Sequence, residues 1–165
     1  MLRNNNPKRP RVHGSDHING GEDPIPGALI FIDSNEVSGA EQVSSTGENT
    51  LQTISLPANS YDKIFIEACI RSRYEVDAAN KTDNTFKIKI DGLLKATFTE
   101  RIIALSTSGT DSGGRNTTHI STVATGGQVT AVNVTITGQM TINNANCGLM
   151  VYYVRLWGIN KNIRP

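Results

Sequence analysis

The residues able to do chemistry fall in three places, and each place lacks something its chemistry requires. Thr110-Asp111-Ser112-Gly113-Gly114 sets a serine beside a carboxylate in a glycine-rich stretch. A nucleophilic serine needs a histidine base and a carboxylate that orients that base. The upstream histidines, His13 and His17, lie among prolines and glycines that give them no fixed position. His13, Asp16 and His17 are also metal-ligand types, but a metal site needs rigid ligands held by further hydrogen bonds. His119 stands beside Thr117, Thr118 and Ser121, which suits an exposed strand position better than a catalytic base. Acidic residues are scattered over loops, so no pair of carboxylates is expected to share a pocket. The glycine-rich pieces precede strands rather than helices, which leaves a phosphate cradle unsupported. No enzymatic activity, cofactor or metal is expected.

Composition points the same way. The chain has 165 residues, 37% hydrophobic and 19% charged, with a net charge of +1. Thr, Ser, Asn and Gly fill the balance, a mixture that favours strands and turns over helices. A folded chain of this length buries roughly 70% of its unfolded surface, enough for a core without staples. Cys69 and Cys147 form no ligand pair and read best as buried free thiols. No run of about 20 apolar residues occurs, so no membrane span is expected. Nothing apolar follows the first basic residues, so no leader is expected either. Three matches to the glycosylation acceptor pattern, at Asn80, Asn116 and Asn133, are the chance yield of a chain rich in Asn and Thr.

The elements divide into an arm and a body. Residues 1–27 carry Arg3, Lys8, Arg9 and Arg11 ahead of the first acid, Asp16, and are broken by Pro7, Pro10, Pro24 and Pro26. Such a segment cannot offset its own ordering entropy and is expected to be an extended basic arm. From residue 28 to 165 short apolar runs alternate with turns. Residues 28–32 read as a strand ended by Asp33-Ser34-Asn35. Residues 50–56 read as a strand with Leu51 off phase. In residues 63–72, Ile64, Ile66, Ala68 and Ile70 share a face, the period of a half-buried strand. Phe86, Ile88 and Ile90, then Asp91-Gly92, then Leu94, Ala96 and Phe98 spell a hairpin with a type I′ turn. Residues 117–124 and 128–137 give two more strands. The last, 149–159, is apolar on both faces: Met150, Tyr152, Val154 and Leu156 on one, Leu149, Val151, Tyr153 and Trp157 on the other. A doubly apolar strand needs a second cover, and a neighbouring subunit would supply it. The expectation is an all-β domain, an eight-stranded antiparallel jelly-roll sandwich with an N-terminal arm; an immunoglobulin-like sandwich is the alternative.

The stretches Leu51–Tyr61, Ile64–Ala68, Phe86–Gly92, Ser108–Gly114 and Val129–Ile136 resemble jelly-roll virion proteins of bacterial and archaeal viruses. Those are capsid, head-decoration and tail-associated proteins. The resemblance implies a virion structural protein made in the host cytoplasm, commonly a homotrimer, partnered with other virion proteins. Arg3, Lys8, Arg9 and Arg11 would form the assembly arm, with a weak contact to nucleic acid as a further use of the same charges. Leu149, Val151, Tyr153 and Trp157 would form the subunit contact. A host-surface glycan would find its aromatic platform at Tyr61 and Tyr74.

Overall fold

In the computed structural model, the structure describes residues 29–36, 42–43, 46–76, 81–103, 112–141 and 148–159. Strands β1 (Leu29–Glu36), β2 (Gln42–Val43), β3 (Asn49–Leu56), β4 (Lys63–Val76), β5 (Lys81–Ile90), β6 (Leu93–Ile103), β7 (Ser112–Thr125), β8 (Val132–Met140) and β9 (Gly148–Ile159) follow one another. One sheet runs β1-β9-β4-β7, with β2 also on β9; the other runs β3-β8-β5-β6. All pairings are antiparallel.

The eight long strands pair from the outside inward: β1 with β9, β3 with β8, β4 with β7, and β5 with β6. A polypeptide folded as one long hairpin and then rolled gives this nesting, which is the jelly roll. It differs from the immunoglobulin order, which is therefore set aside. The basic arm lies outside the described residues.

Alternation builds the core. From β4, Ile64, Ile66, Ala68 and Ile70 face the opposite sheet, and Phe86, Ile88 and Ile90 of β5 meet them. Val134, Ile136 and Met140 of β8 and Ile54 and Leu56 of β3 complete the second layer. Each such side chain contributes roughly 1.5–3 kcal/mol by leaving water. The β5–β6 hairpin turns at Asp91 (φ 49°) and Gly92 (φ 76°), the positive pair that a type I′ turn requires.

Four inserted residues interrupt the ladders and correct the simple alternation. Ile32 is extra in β1, Leu51 in β3, Lys95 in β6 and Tyr152 in β9. The strand expected to stop at Ile32 therefore continues to Glu36, and Asn35 donates from Nδ2 to the Thr53 carbonyl at 3.0 Å. Leu51 is off phase because it is the bulged residue; Gly138 leaves space for its side chain and for that of Leu149. The Lys95 bulge places Leu94 opposite outward-facing Lys89, so Leu94 is exposed instead of joining Ala96 and Phe98. The strand expected from residue 128 begins at Val132; Gln128 belongs to the turn before it.

That turn is fixed by close packing. Gly126 donates to the Asp62 carbonyl at 2.9 Å, and a Cβ on Gly126 would run into the Tyr61 carbonyl. Gly92, by contrast, has open space around it. Gly92→Ala should therefore cost about 1–2 kcal/mol, the left-handed strain alone. Gly126→Ala should cost more, because backbone must move. Urea midpoints of the two variants measure this, and equal losses would contradict the packing described.

On the outer face of the second sheet, Glu48 receives Lys87 at 2.6 Å, Lys89, and the Thr137 hydroxyl at 2.9 Å. Hydrogen bonds from the two lysines lower its pKa from 4.5 to about 2. A depressed carboxyl pKa stabilises the fold fully above about pH 4.5, and the contribution is lost as pH falls through about 2. Solvent screening limits it to roughly 1 kcal/mol. Glu48→Gln should be less stable than the parent at pH 7 by about that amount, with the difference vanishing near pH 2. A constant difference across that range would remove the carboxylate from the account.

Candidate interaction face

The outer face of the β1-β9-β4-β7 sheet is where side chains accumulate without a covering layer among the described residues. Register aligns them in rows. Leu29, Ile159, Lys63 and Thr125 form one row; Phe31, Trp157, Phe65 and Val123 form the next. Leu29, Phe31 and Val123 are 55%, 51% and 52% exposed, far above what their apolar character favours. Phe31 meets Trp157 edge to face, ring centroids 5.3 Å apart, an arrangement their quadrupoles prefer. Phe65, Trp157 and Ile159 are half-buried between these exposed flanks, so the patch is continuous across four strands. Continuous apolar patches on sheet faces mark contact surfaces. The Trp157 indole N–H within it is buried and has no hydrogen-bond partner among the described residues.

The next two rows are polar and mutually engaged. Tyr153 donates from its hydroxyl to Glu67 Oε1 at 3.1 Å and lies 3.0 Å from His119 Nδ1. His119 Nδ1 is itself 3.5 Å from Glu67. The Arg155 guanidinium sits 4.0 Å over the Tyr153 ring and reaches Glu36 at 3.2 Å. Burial and then the Glu67 carboxylate raise the Tyr153 pKa, so its phenol keeps the proton it donates. Burial likewise raises the Cys69 thiol, again reinforced by Glu67. Cys69 is therefore a buried free thiol held in its unreactive form. These groups join four strands electrostatically.

The residues expected to matter separate here. Leu149 and Val151 belong to the chain's own core, not to a subunit contact. The cause is Tyr152: Cys69 pairs with Tyr153 and Ile70 with Val151, so the extra residue reverses the parity of β9. Leu149 and Val151 thereby face inward with Val154 and Leu156, while Tyr153 and Trp157 remain on the outer face. Tyr152 Oη accepts from Arg71 Nη1 at 2.7 Å. Tyr61 is half-buried, its ring lying over Gly158 where a Cβ would come within 2.5 Å, so it is no free platform. Tyr74 is in β4 opposite Gly114, but its side chain falls outside the described residues. Arg3, Lys8, Arg9 and Arg11 lie outside them entirely. Ser112, Gly113 and Gly114 open strand β7 opposite Val76, Glu75 and Tyr74.

Phe31, Phe65 and Val123 were missed as surface residues because each sits in a strand whose apolar content reads equally well as core. The useful signal was their phase: each is flanked by residues that point inward.

The parity of β9 has a measurable consequence. Leu149→Ala should lower unfolding free energy by about 2–5 kcal/mol, a core truncation. Phe31→Ser should cost under about 1 kcal/mol in a monomer, since half the ring is already wet. Comparable losses in denaturant titration would reject this division of the two residues between core and surface.

No protein-family model matches the chain, and no curated protein does. Among solved structures it is similar to dimeric latent PorU from Porphyromonas gingivalis, at 11% identity with a TM-score of 0.48. That likeness covers 85% of this chain, which spans 13% of the other's length, and it is too slight to bear on function.

Proposed function

We propose that this chain is a virion structural subunit that joins copies of itself through the outer face of the β1-β9-β4-β7 sheet. The observation that carries the self-association is the exposed apolar patch of Leu29, Phe31 and Val123 beside Trp157. Water contact with so much apolar surface is unfavourable by roughly 25 cal/mol per Å², and burial against a neighbour removes it. The attribution to a virus particle rests on the resemblance of the strand sequences to jelly-roll virion proteins, and with it come three copies as the expected number. In this reading the basic segment with Arg3, Lys8, Arg9 and Arg11 attaches the body to a capsid or tail, with genome contact a secondary use. The role is assembly, without catalysis.

A second reading has its own observation. Phe31, Pro57, Asn59, Ser60 and Tyr61 border a hollow of about 320 Å³ at the edge of the apolar patch. An aromatic wall beside hydroxyl and amide groups suits a sugar ring, which would make the body a receptor-binding module. The Asn59 side chain is already engaged with Gly127 N and the Pro57 carbonyl, which leaves fewer groups for a ligand.

Sedimentation velocity tests the first reading. The parent protein should sediment as an oligomer at micromolar concentration, and Phe31→Glu as a smaller folded species that has lost the contact through this face, with an unchanged circular-dichroism spectrum. Antibody against the chain should label purified virus particles from the source culture. A parent protein that stays monomeric, or particles without label, would defeat the assembly role and the virion role respectively. Binding on a glycan array lost in Phe31→Ser would favour the second.

A further inference from the structure

We infer that β7 pairs with β7 of a second copy, antiparallel across a twofold axis, to join two sheets into one. This concerns a different surface from the apolar face above, and it stands whether or not the chain belongs to a virion.

Four long strands end the two sheets: β1, β7, β3 and β6. A sheet edge presents unpaired N–H and C=O groups, and proteins blunt such edges with bulges, charges or proline. Three of the four are blunted by an inserted residue, Ile32 in β1, Leu51 in β3 and Lys95 in β6. β7 is not. It pairs with β4 without a register shift from Thr125 opposite Lys63 to Ser112 opposite Val76. Its 14 residues contain no proline and no lysine. Among the described residues nothing pairs with its free side.

The inner flank of that edge is also open. Between β7 and β6 lies a cleft of about 360 Å³ whose floor is Ile70, Phe86, Phe98 and Ile120. Three of these are buried members of the main core and Phe98 is half-buried beside them, so only a thin margin separates the core from the cleft. A strand added to β7 would cover this opening and satisfy the free backbone groups in the same event.

A second copy fits the edge by its own composition. The strand is rich in Thr and Ser, which pair well across antiparallel ladders. Its formal charge is one cation, Arg115. Pairing about the strand's middle puts the two copies of position 115 on the order of 20 Å apart along the ladder. Within the ladder no like charges then face each other, and the twofold makes the contact self-complementary. The two clefts open toward one another across the axis and close together.

The test combines mass with hydrogen exchange in the full chain. Thr117→Lys with Ser121→Lys puts lysines on two exposed positions of β7, which should leave melting unchanged. The parent should show an even number of subunits by light scattering, two or six, falling to one or three in the lysine variant. Amides of 112–125 should exchange at least tenfold more slowly in the parent at high concentration than in the variant. Phe31→Glu should leave the twofold contact intact and yield a dimer, which separates this inference from the face described above. An unchanged mass in the lysine variant would overturn the pairing. So would fast β7 exchange at every concentration. Slow exchange that persists in a monomer would assign the edge to the chain's own remaining residues, and equally refute a second copy.

Discussion

One inserted residue decides what the central strand of the larger sheet does with its side chains. β9 lies between β1 and β4 and carries Leu149, Met150, Val151, Val154, Leu156 and Trp157 within twelve residues. Strict alternation would send Leu149 and Val151 outward with Tyr153 and Trp157, leaving the core short of two large side chains. The bulge at Tyr152 reverses the phase midway, so Leu149, Val151, Val154 and Leu156 all face the opposite sheet. Bulges sharpen local twist and re-aim side chains. Here the re-aiming fills the core and still leaves Trp157 outside.

From that division follow the two halves of the outer face. Toward the Leu29 end, Trp157 supplies the centre of an apolar patch that Phe31, Phe65 and Val123 extend to neighbouring strands. Toward the Glu36 end, Tyr153 and Arg155 supply the centre of a polar network with Glu67, His119 and Glu36. The ion pairs of that network are largely wet and each is worth little alone. Their value is positional. They fix the strand that presents Trp157, and they bound the apolar patch with groups that would be costly to bury unpaired.

How much of this the sequence disclosed depends on whether the signal was local. Asp91-Gly92 announces its hairpin because few residues adopt two positive φ angles in succession. Ile64, Ile66, Ala68 and Ile70 announce a face because period two survives unbroken across them. The bulges were not legible in the same way. Ile32, Leu51 and Tyr152 are ordinary strand residues, and nothing in their type says that one of them lacks a partner. Leu51 left a trace, as a break in phase, whereas Tyr152 left none, since β9 is apolar on either count. Asp33-Ser34-Asn35 resembles a turn, yet the strand passes through it by pairing with Leu156, Arg155 and Val154 of β9, and Asn35 also reaches the Thr53 carbonyl across the sandwich. That bond joins residues 18 apart and has no local signature.

A jelly roll by itself says nothing about activity, because one fold hosts many functions. What this chain can do must therefore be argued from its surfaces, and its two open surfaces differ in kind. The apolar patch offers area and shape with few directional groups, its polar neighbours being engaged with one another. The edge of β7, free among the described residues, offers the reverse, a ladder of directional backbone groups with little side-chain area beyond the cleft. Area favours close approach without fixing register, and a ladder fixes register without much area. In the proposed assembly role the two would complement each other. The larger sheet supplies them at the same place, since Val123 belongs to the patch and to the edge strand alike.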